Sequence, residues 1–267
     1  MKKKNKAIYL LFLMPFVYFA TACFVVWLVK TSGIYPSGSD TMYHVYRGDY
    51  VYNAIKSGNW YPLYDPAWYN GVEILRYWSP FPAYVMAFCQ YLAGGSQFGA
   101  YLFYIGGVCF LGACVWPFIG RGFNRPYLGA FIGLLWFFMP NNLCAIFIEG
   151  NLARSLSMIF LPVFIYSVYK YLYNHKLRYI PLMVFTFLLM ELCHLGYAGM
   201  VAIAVIIYGI VYMIQKGRKK AVLDVVISMI FGFMLLGIWL VASLKGGITS
   251  LDNSENMANF FQNLWIT

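Results

Sequence analysis

Long apolar runs separated by short polar clusters are the dominant pattern of the sequence. The runs cover residues 7–29, 98–120, 127–147, 152–173, 179–194, 197–214 and 221–244. A helix needs about 20 apolar residues to cross the hydrocarbon core of a bilayer. The pattern therefore predicts an all-α integral membrane protein with about seven transmembrane helices, the shortest at 179–194.

Composition supports this prediction. Apolar residues make up 62% of the 267 residues and charged residues only 10%, and the mean hydropathy is +0.66. A water-soluble domain has too little interior to bury so much apolar surface. We therefore expect a single membrane domain over residues 1–267. The first run follows MKKKNK and is long enough to be an uncleaved transmembrane helix rather than a cleaved signal peptide.

The six cysteines lie in or beside apolar runs, and no two of them have CxxC spacing. This placement favours buried, inert thiols over a disulfide or metal framework.

Basic residues between the runs predict the orientation of the chain. Thirteen of the 19 lie before the first run or in alternate connections: Lys2, Lys3, Lys4, Lys6, Arg121, Arg125, Lys170, Lys176, Arg178, Lys216, Arg218, Lys219 and Lys220. Lysine and arginine are enriched in cytoplasmic loops, so seven spans and a cytoplasmic amino terminus place all thirteen inside. The formal charge of +10 is then a topology signal, and we expect no nucleic-acid partner.

The segment at 80–94, PFPAYVMAFCQYLAG, is apolar but short, and it contains Pro80 and Pro82. Counting it as a span would reverse the side of every later basic cluster. The sequence therefore predicts a helix that lies in the outer membrane interface.

The longest polar connection runs from residue 30 to residue 97, on the outer face in this topology. Its part at 36–82 holds four of the nine acidic residues: Asp40, Asp49, Asp65 and Glu73. This concentration of carboxylates in an apolar chain predicts that function resides in the first loop. The polar segment at 245–267 resembles the start of a further outer segment, and we expect the chain to be part of a longer protein.

Asp40, His44 and Arg47 are spaced i, i+4 and i+7, so on a helix capped by Ser37 or Ser39 they share one face. Such a carboxylate could act as a base or metal ligand while the guanidinium holds a phosphate. The alternative is a solvated helix face with an ordinary ladder of polar side chains.

Two later positions carry similar alternatives. Glu149 and Arg154 lie in IFIEGNLARS between two spans, where a helix amino terminus suits a lipid phosphate or where Glu149 simply favours the helix dipole. Glu191 and His194 end the fifth run, as a functional pair or as the closure of a helix hairpin.

Aromatic residues are abundant in the first loop, with Trp78 among them. They could stack on sugar rings, or they could form the aromatic belt that is common at membrane interfaces.

The order of these parts resembles that of the GT-C glycosyltransferases, a superfamily of polytopic membrane enzymes. The matching pieces are Asp40, then AIKSGNWYP at 54–62, then YWSPFPAYVMAFCQYLAGG at 77–95. More narrowly, SGSDTMYHVYRGDYVYNAIKSGNWYPLYDPAWYNGVEILRYWSPFPAY resembles the bacterial membrane proteins labelled 6-pyruvoyl-tetrahydropterin synthase-related, which are grouped with YfhO-like and GT-C proteins. The label implies no pterin chemistry.

The resemblance implies that a sugar passes, with inversion, from a polyprenyl-phosphate donor to an outer-face glycan or protein acceptor at a bacterial plasma membrane. It implies catalytic roles for Asp40, His44 and Glu149. Substrate or phosphate binding would fall to Arg47, Arg76, Arg154, Trp78 and His194. A divalent cation, Mg²⁺ or Mn²⁺, could lie between Asp40 and Glu149, although Thr41 stands where many GT-C enzymes have a second acid. The alternative is a non-catalytic lipid or glycan carrier, or an assembly protein, on the same scaffold.

Overall fold

The computed structural model describes residues 2–68 and 71–244, and the predicted outer segment at 245–267 lies outside them. The described helices are α1 (Lys2–Ser32), α2 (Thr41–Lys56), α3 (Ile74–Tyr77), α4 (Phe81–Leu92), α5 (Gln97–Gly122), α6 (Pro126–Trp136), α7 (Pro140–Leu143), α8 (Leu152–Asn174), α9 (Tyr179–Cys193), α10 (Leu195–Lys216), α11 (Lys219–Leu235) and α12 (Gly237–Ser243). A π-helical turn, Cys144–Ile148, follows α7. Within these ranges the β-structure is a single isolated bridge, which confirms the all-α class.

Five segments of the described chain are long and apolar enough to cross a membrane: Phe12–Ser32, Gln97–Gly122, Pro126–Ile148, Leu152–Asn174 and Leu195–Lys216. A sixth would join α11 and α12, which are bent by 59°. Helix α9 has only 15 residues and so measures about 22 Å, against a hydrocarbon core of about 30 Å. By length and composition, the described chain has five or six candidate spans, and α9 is a further, shorter apolar helix; together they correspond to the seven predicted apolar runs.

Helix ends from distant parts of the chain meet at one end of the bundle, which we call the loop end. The backbone N–H of Asp40 donates to the carbonyl of Glu149 at 3.1 Å. The Ser79 hydroxyl donates to the carbonyl of Glu191 at 2.9 Å. The Trp239 indole donates to the carbonyl of Leu75 at 2.7 Å and ties α12 to α3. The first loop thus lies across the start of α8 and the end of α9.

The opposite end, which we call the basic end, gathers nine of the predicted basic residues: Arg121, Arg125, Lys170, Lys176, Arg178, Lys216, Arg218, Lys219 and Lys220. Lys170 Nζ donates to the carbonyl of Gly122 at 2.6 Å, and Tyr212 donates to the carbonyl of Leu172 at 2.5 Å. These contacts join the ends of α5, α8 and α10. The prediction that these clusters share one side agrees with this arrangement, and the side of the membrane stays a prediction.

Helix α4 is separate from α5 and is not a candidate span, as the two prolines near its start predicted. Pro82 lies in its first turn, where a missing N–H costs nothing. Its inner face packs on α2 so closely that a Cβ on Gly48 would lie 2.2 Å from Met86 Cγ. Phe88 and Tyr91 are exposed on its outer face. One packed face and one exposed apolar face are compatible with the predicted position of α4 in the membrane interface.

Candidate functional site

The start of the first loop and the turn before α8 touch backbone to backbone, and only glycine permits this. A Cβ on Gly38 would lie 2.5 Å from Gly150 Cα. Gly150 has φ of +68°, and a Cβ there would lie 2.6 Å from the backbone nitrogen of Thr41. The predicted tight turn at Gly150 is therefore present, and it places Glu149 beside Asp40.

Asp40 stands at the N-cap position of α2, but its side chain makes no capping hydrogen bond. The expected cap from Ser37 or Ser39 is also absent, because Ser39 Oγ donates instead to Asp40 Oδ1 and to the carbonyl of Glu149, both at 3.1 Å. Asp40 Oδ2 makes no hydrogen bond within the described chain and is half-buried. This oxygen can accept a proton or a hydrogen bond from a ligand.

His44 lies one turn further along the same face of α2. It is 8% exposed, and its side chain makes no hydrogen bond to any residue of the described chain. Burial, together with the nearby charges of Arg47 and His194, lowers the pKa of His44 to about 3. The imidazole is therefore neutral at physiological pH.

Arg47 is more deeply buried, with 1% of its surface exposed. Its Nη2 donates to the carbonyls of Trp78 and Ser79, both at 3.3 Å, and the guanidinium lies 5.3 Å from the ring centre of Tyr43 and 5.7 Å from that of Trp78. Burial lowers the pKa of Arg47. No carboxylate of the described residues is within ion-pair distance of it. The alternative of a solvated ladder on α2 is therefore wrong.

Glu149 is paired with Arg154 through Oε2 and Nη1 at 2.8 Å, and the Cys144 thiol donates to Oε1 at 3.3 Å. Burial acts to raise the pKa of Glu149, but these two hydrogen bonds and the charge of Arg154 together lower it. Both carboxylate oxygens thus have partners. Cys144 is thus a partner of Glu149, and of the six free cysteines Cys89, Cys109 and Cys193 are buried as predicted while Cys23 is exposed.

The sequence interpretation treated Asn151 only as a turn residue, yet its amide is central to the site. Asn151 Oδ1 caps α8 by accepting the backbone N–H of Arg154 at 2.9 Å, so its Nδ2 faces the other way. His194 Nδ1 caps α10 by accepting the backbone N–H of Tyr197 at 3.0 Å. A neutral imidazole that accepts at Nδ1 carries its proton on Nε2.

Asn151 Nδ2 and His194 Nε2 lie 3.4 Å apart. Because both capping roles make these nitrogens donors, they cannot satisfy each other. They form a pair of N–H groups that can converge on one acceptor, and we call them the donor pair. The local clue to Asn151 was its position directly before a helix, where asparagine is a common cap.

Electrostatic interactions place most of the predicted residues together. The charges of Asp40 and Arg154 both affect the pKa of His194, and the charge of His194 affects the pKa of His44. Trp78 adjoins the group through its contacts with Arg47. The predicted cluster of Asp40, His44, Arg47, Glu149, Arg154, Trp78 and His194 is therefore compact.

Arg76 and Glu191 stand apart from this cluster. Arg76 pairs with Glu73 at 2.6 Å, and its carbonyl accepts the Ser243 hydroxyl, so it belongs to the contact between α3 and α12. Glu191 is 2% exposed, and its Oε2 has no hydrogen-bond partner in the described chain. It forms no ion pair with His194 within the described residues, so the suggested pair does not close the hairpin.

The residues present do not fit a Mg²⁺ or Mn²⁺ site. No group of three histidine, cysteine or acidic side chains in the described chain could hold a metal ion. Glu149, the expected second ligand, already has a cation and a thiol on its two oxygens. The chemistry considered below therefore uses only side chains.

Comparison with known proteins gives a family match. Residues 75–267 match the model of a family of membrane proteins described as the 6-pyruvoyl-tetrahydropterin synthase related domain. The match covers more than half of the chain and includes Glu149, Arg154 and His194, while Asp40, His44 and Arg47 precede it. No curated protein and no solved structure matches the chain.

Proposed function

The chain belongs to the 6-pyruvoyl-tetrahydropterin synthase related family of membrane proteins, and from this premise we propose that it is a glycosyltransferase of the GT-C type. It would move a sugar from a polyprenyl phosphate to an acceptor at the loop end. The donor pair, next to Asp40, is the observation that carries the proposal.

The donor pair and Arg154 suit the phosphate of such a donor. Asn151 and His194 each offer one N–H, and Arg154 retains a buried Nε without a hydrogen-bond partner in the described chain. Helices α8 and α10 both start here, and helix amino termini favour anions. A phosphate oxygen is the acceptor that this set of donors lacks.

Asp40 would supply the base. Its free Oδ2 takes the proton from the acceptor hydroxyl as the hydroxyl oxygen attacks the anomeric carbon of the sugar. The bond from that carbon to the phosphate oxygen breaks, and its electrons leave on the polyprenyl phosphate. Attack opposite the leaving group inverts the anomeric centre. The donors of Asn151, His194 and Arg154 stabilise the charge that develops on the phosphate.

The other residues would position these groups. Glu149 holds Arg154 through their ion pair. His44, neutral and buried, interacts with His194 and adds no charge. Arg47 holds the segment at Trp78–Ser79 to α2 and keeps a buried positive charge in the cluster.

A carrier or assembly protein that binds the lipid without chemistry is the second candidate. It is favoured by the engagement of both Glu149 oxygens, which leaves Asp40 as the one acid with an open oxygen in the described cluster. The two candidates differ in the role of Asp40. A transferase needs its carboxylate, whereas a carrier needs only the donors.

The test compares Asp40→Asn with the wild type in native membranes supplied with radiolabelled undecaprenyl-phosphate glucose, mannose or galactose. We expect release of undecaprenyl phosphate to fall at least about a hundredfold, as for loss of a general base. Binding of the labelled lipid should persist. Glu73→Gln, which removes a partly exposed loop carboxylate paired with Arg76, is the matched control and should retain transfer.

Cap-preserving changes test the phosphate site separately. Asn151→Asp and His194→Asp keep residues that cap helices well, but an ionised carboxylate only accepts hydrogen bonds, so each change removes one donor. Each should weaken binding of the labelled lipid at least about tenfold, the equivalent of one hydrogen bond to a charged group, and the added negative charge acts in the same direction. Full transfer by Asp40→Asn would exclude the transferase mechanism, and unchanged lipid binding in both cap variants would exclude the phosphate site.

A further inference from the structure

A concave surface lies on the side of α2 that faces away from His44 and Arg47. It is a groove of about 460 Å³ lined by Tyr46, Asp49, Tyr50, Asn53, Ala54, Ser57, Asn59 and Pro62. At about 100° per residue, Tyr46 and Asn53 project roughly opposite to His44 and Arg47. The groove is therefore separate from the cluster around Asp40, and its volume is within the range of small-ligand sites.

Two tyrosine rings in this groove are fixed through their hydroxyls. Tyr46 donates to Asp65 Oδ2 at 2.5 Å, and Tyr50 donates to the carbonyl of Tyr64 at 2.8 Å. Asp65 is buried and is itself held by the bridge to Val72. The rings are thereby ordered before any ligand binds, which lowers the entropic cost of using their faces as a binding surface.

The polar groups between the rings are also oriented. Gln90 Nε2 donates to Asp49 Oδ1 at 2.6 Å and to the carbonyl of Gly95 at 3.1 Å, so Asp49 Oδ2 stays open as an acceptor. Asn59 Oδ1 accepts the backbone N–H of Tyr61 at 3.2 Å, which turns its Nδ2 outward as a donor. Asn53 is exposed and makes no side-chain hydrogen bond in the described chain.

We propose that this groove binds a neutral saccharide, as a part of a glycan acceptor that lies away from the hydroxyl that reacts at Asp40. A pyranose presents neighbouring hydroxyls that each donate and accept, together with an apolar face of C–H groups. The groove offers the open Asp49 oxygen, the Asn59 N–H and the Asn53 amide as partners for the hydroxyls. The ordered rings of Tyr46 and Tyr50 offer aromatic surface for the C–H face. Only the role as acceptor site rests on the proposed function; saccharide binding does not.

The charge of the groove supports a neutral ligand. Asp49 is its one charged lining residue, and half of its carboxylate is already engaged by the neutral Gln90. An anionic ligand would meet this carboxylate without a compensating cation among the lining residues. A long acyl chain would leave the oriented amides and the carboxylate without partners.

The test measures binding of cellobiose, N,N′-diacetylchitobiose and maltose to the full chain by saturation-transfer NMR and calorimetry. The protein is kept in a detergent without a sugar headgroup, since a maltoside would compete for the groove. We expect saturable binding of at least one disaccharide. Asn53→Ala and Asn59→Ala should each weaken it about fivefold, as for one neutral hydrogen bond.

Lys56→Ala is the matched control, because Lys56 is exposed on the same helix but does not line the groove. It should leave the affinity unchanged. Absence of saturable binding by all three disaccharides, or equal weakening by Lys56→Ala, would overturn the proposal. Asp40→Asn should bind saccharide normally, so a loss of transfer with intact saccharide binding separates failure of one proposal from failure of the other.

Discussion

Most cations at the basic end are exposed, whereas two arginines at the loop end, Arg47 and Arg154, are largely enclosed. Arg121, Arg125, Lys216 and Arg218 are exposed, and Lys170 is half-buried against the Phe123 ring at 4.4 Å. At the loop end, Arg47 is fully buried without a carboxylate partner in the described chain, and Arg154 is paired with Glu149. Residues of similar chemistry thus occupy opposite environments within one bundle.

This difference in burial suggests different roles: the exposed cations suit membrane orientation, and the enclosed ones suit the proposed site. An exposed cation loses little solvation and can direct membrane insertion without any particular partner. A buried guanidinium costs several kcal/mol unless other groups compensate. Here carbonyls and aromatic rings compensate in part, so we do not expect Arg47 to stabilise the fold, and positive charge at the proposed phosphate site is the role we infer for it.

Backbone packing should show the largest contrast between the two ends. Gly150→Ala should lower the free energy of unfolding by about 3 kcal/mol, because alanine is strained at φ of +68° and its Cβ meets the Thr41 backbone. Gly217→Ala, at φ of +67° with open space around it, should cost only about 1 kcal/mol. Denaturant unfolding in micelles measures both, and equal losses would show that the two loops are not held by this contact.

Replacing one cation at each end by methionine compares the two ends further. Arg47→Met should leave the free energy of unfolding within about 1 kcal/mol of the wild type, because relief of the cost of burying the guanidinium offsets the hydrogen bonds that the carbonyls of Trp78 and Ser79 lose. It should, however, weaken binding of undecaprenyl-phosphate hexose. Lys170→Met removes one bond to Gly122 at the basic end and should cost about 1 kcal/mol while lipid binding stays normal. Weakened lipid binding in Lys170→Met would contradict the division of roles.

The smallest expected difference between the two ends is in how their histidines make stability depend on pH. The pKa of His44 is about 3 in the folded chain and about 6.5 when unfolded, so between these values the unfolded state binds the proton. The contribution of His44 to stability is therefore fully present above pH 6.5 and is lost as the pH drops toward 3, by about 1.4 kcal/mol per pH unit at most.

His44→Phe should remove this acid dependence, and thermal unfolding midpoints between pH 7 and pH 5 measure it. His175→Phe, at an exposed position of the basic end, is the control and should leave the slope as in the wild type. An unchanged slope in His44→Phe would indicate that the imidazole is accessible to water.

Much of the fold followed from local pattern. The apolar runs predicted the helices, the two prolines predicted that α4 stands apart, and the i, i+4, i+7 spacing predicted one face for Asp40, His44 and Arg47. The apolar run at 179–194, the shortest in the prediction, gives a helix of only 15 residues, which is shorter than the other candidate spans. Run length marks apolar sequence, but where a helix ends depends on its caps and contacts.

By itself, the sequence determined the class of protein and the segregation of basic residues, since composition and periodicity are local properties, and it predicted the first turn of α2 as the place for chemistry. Only the tertiary structure decided that Glu149 is occupied by Arg154 and that Asn151 and His194 form a donor pair. It also decided that the face of α2 with Arg47 is buried while the opposite face lines a groove. These features arise where separate loops meet, and such contacts between distant residues leave no local pattern.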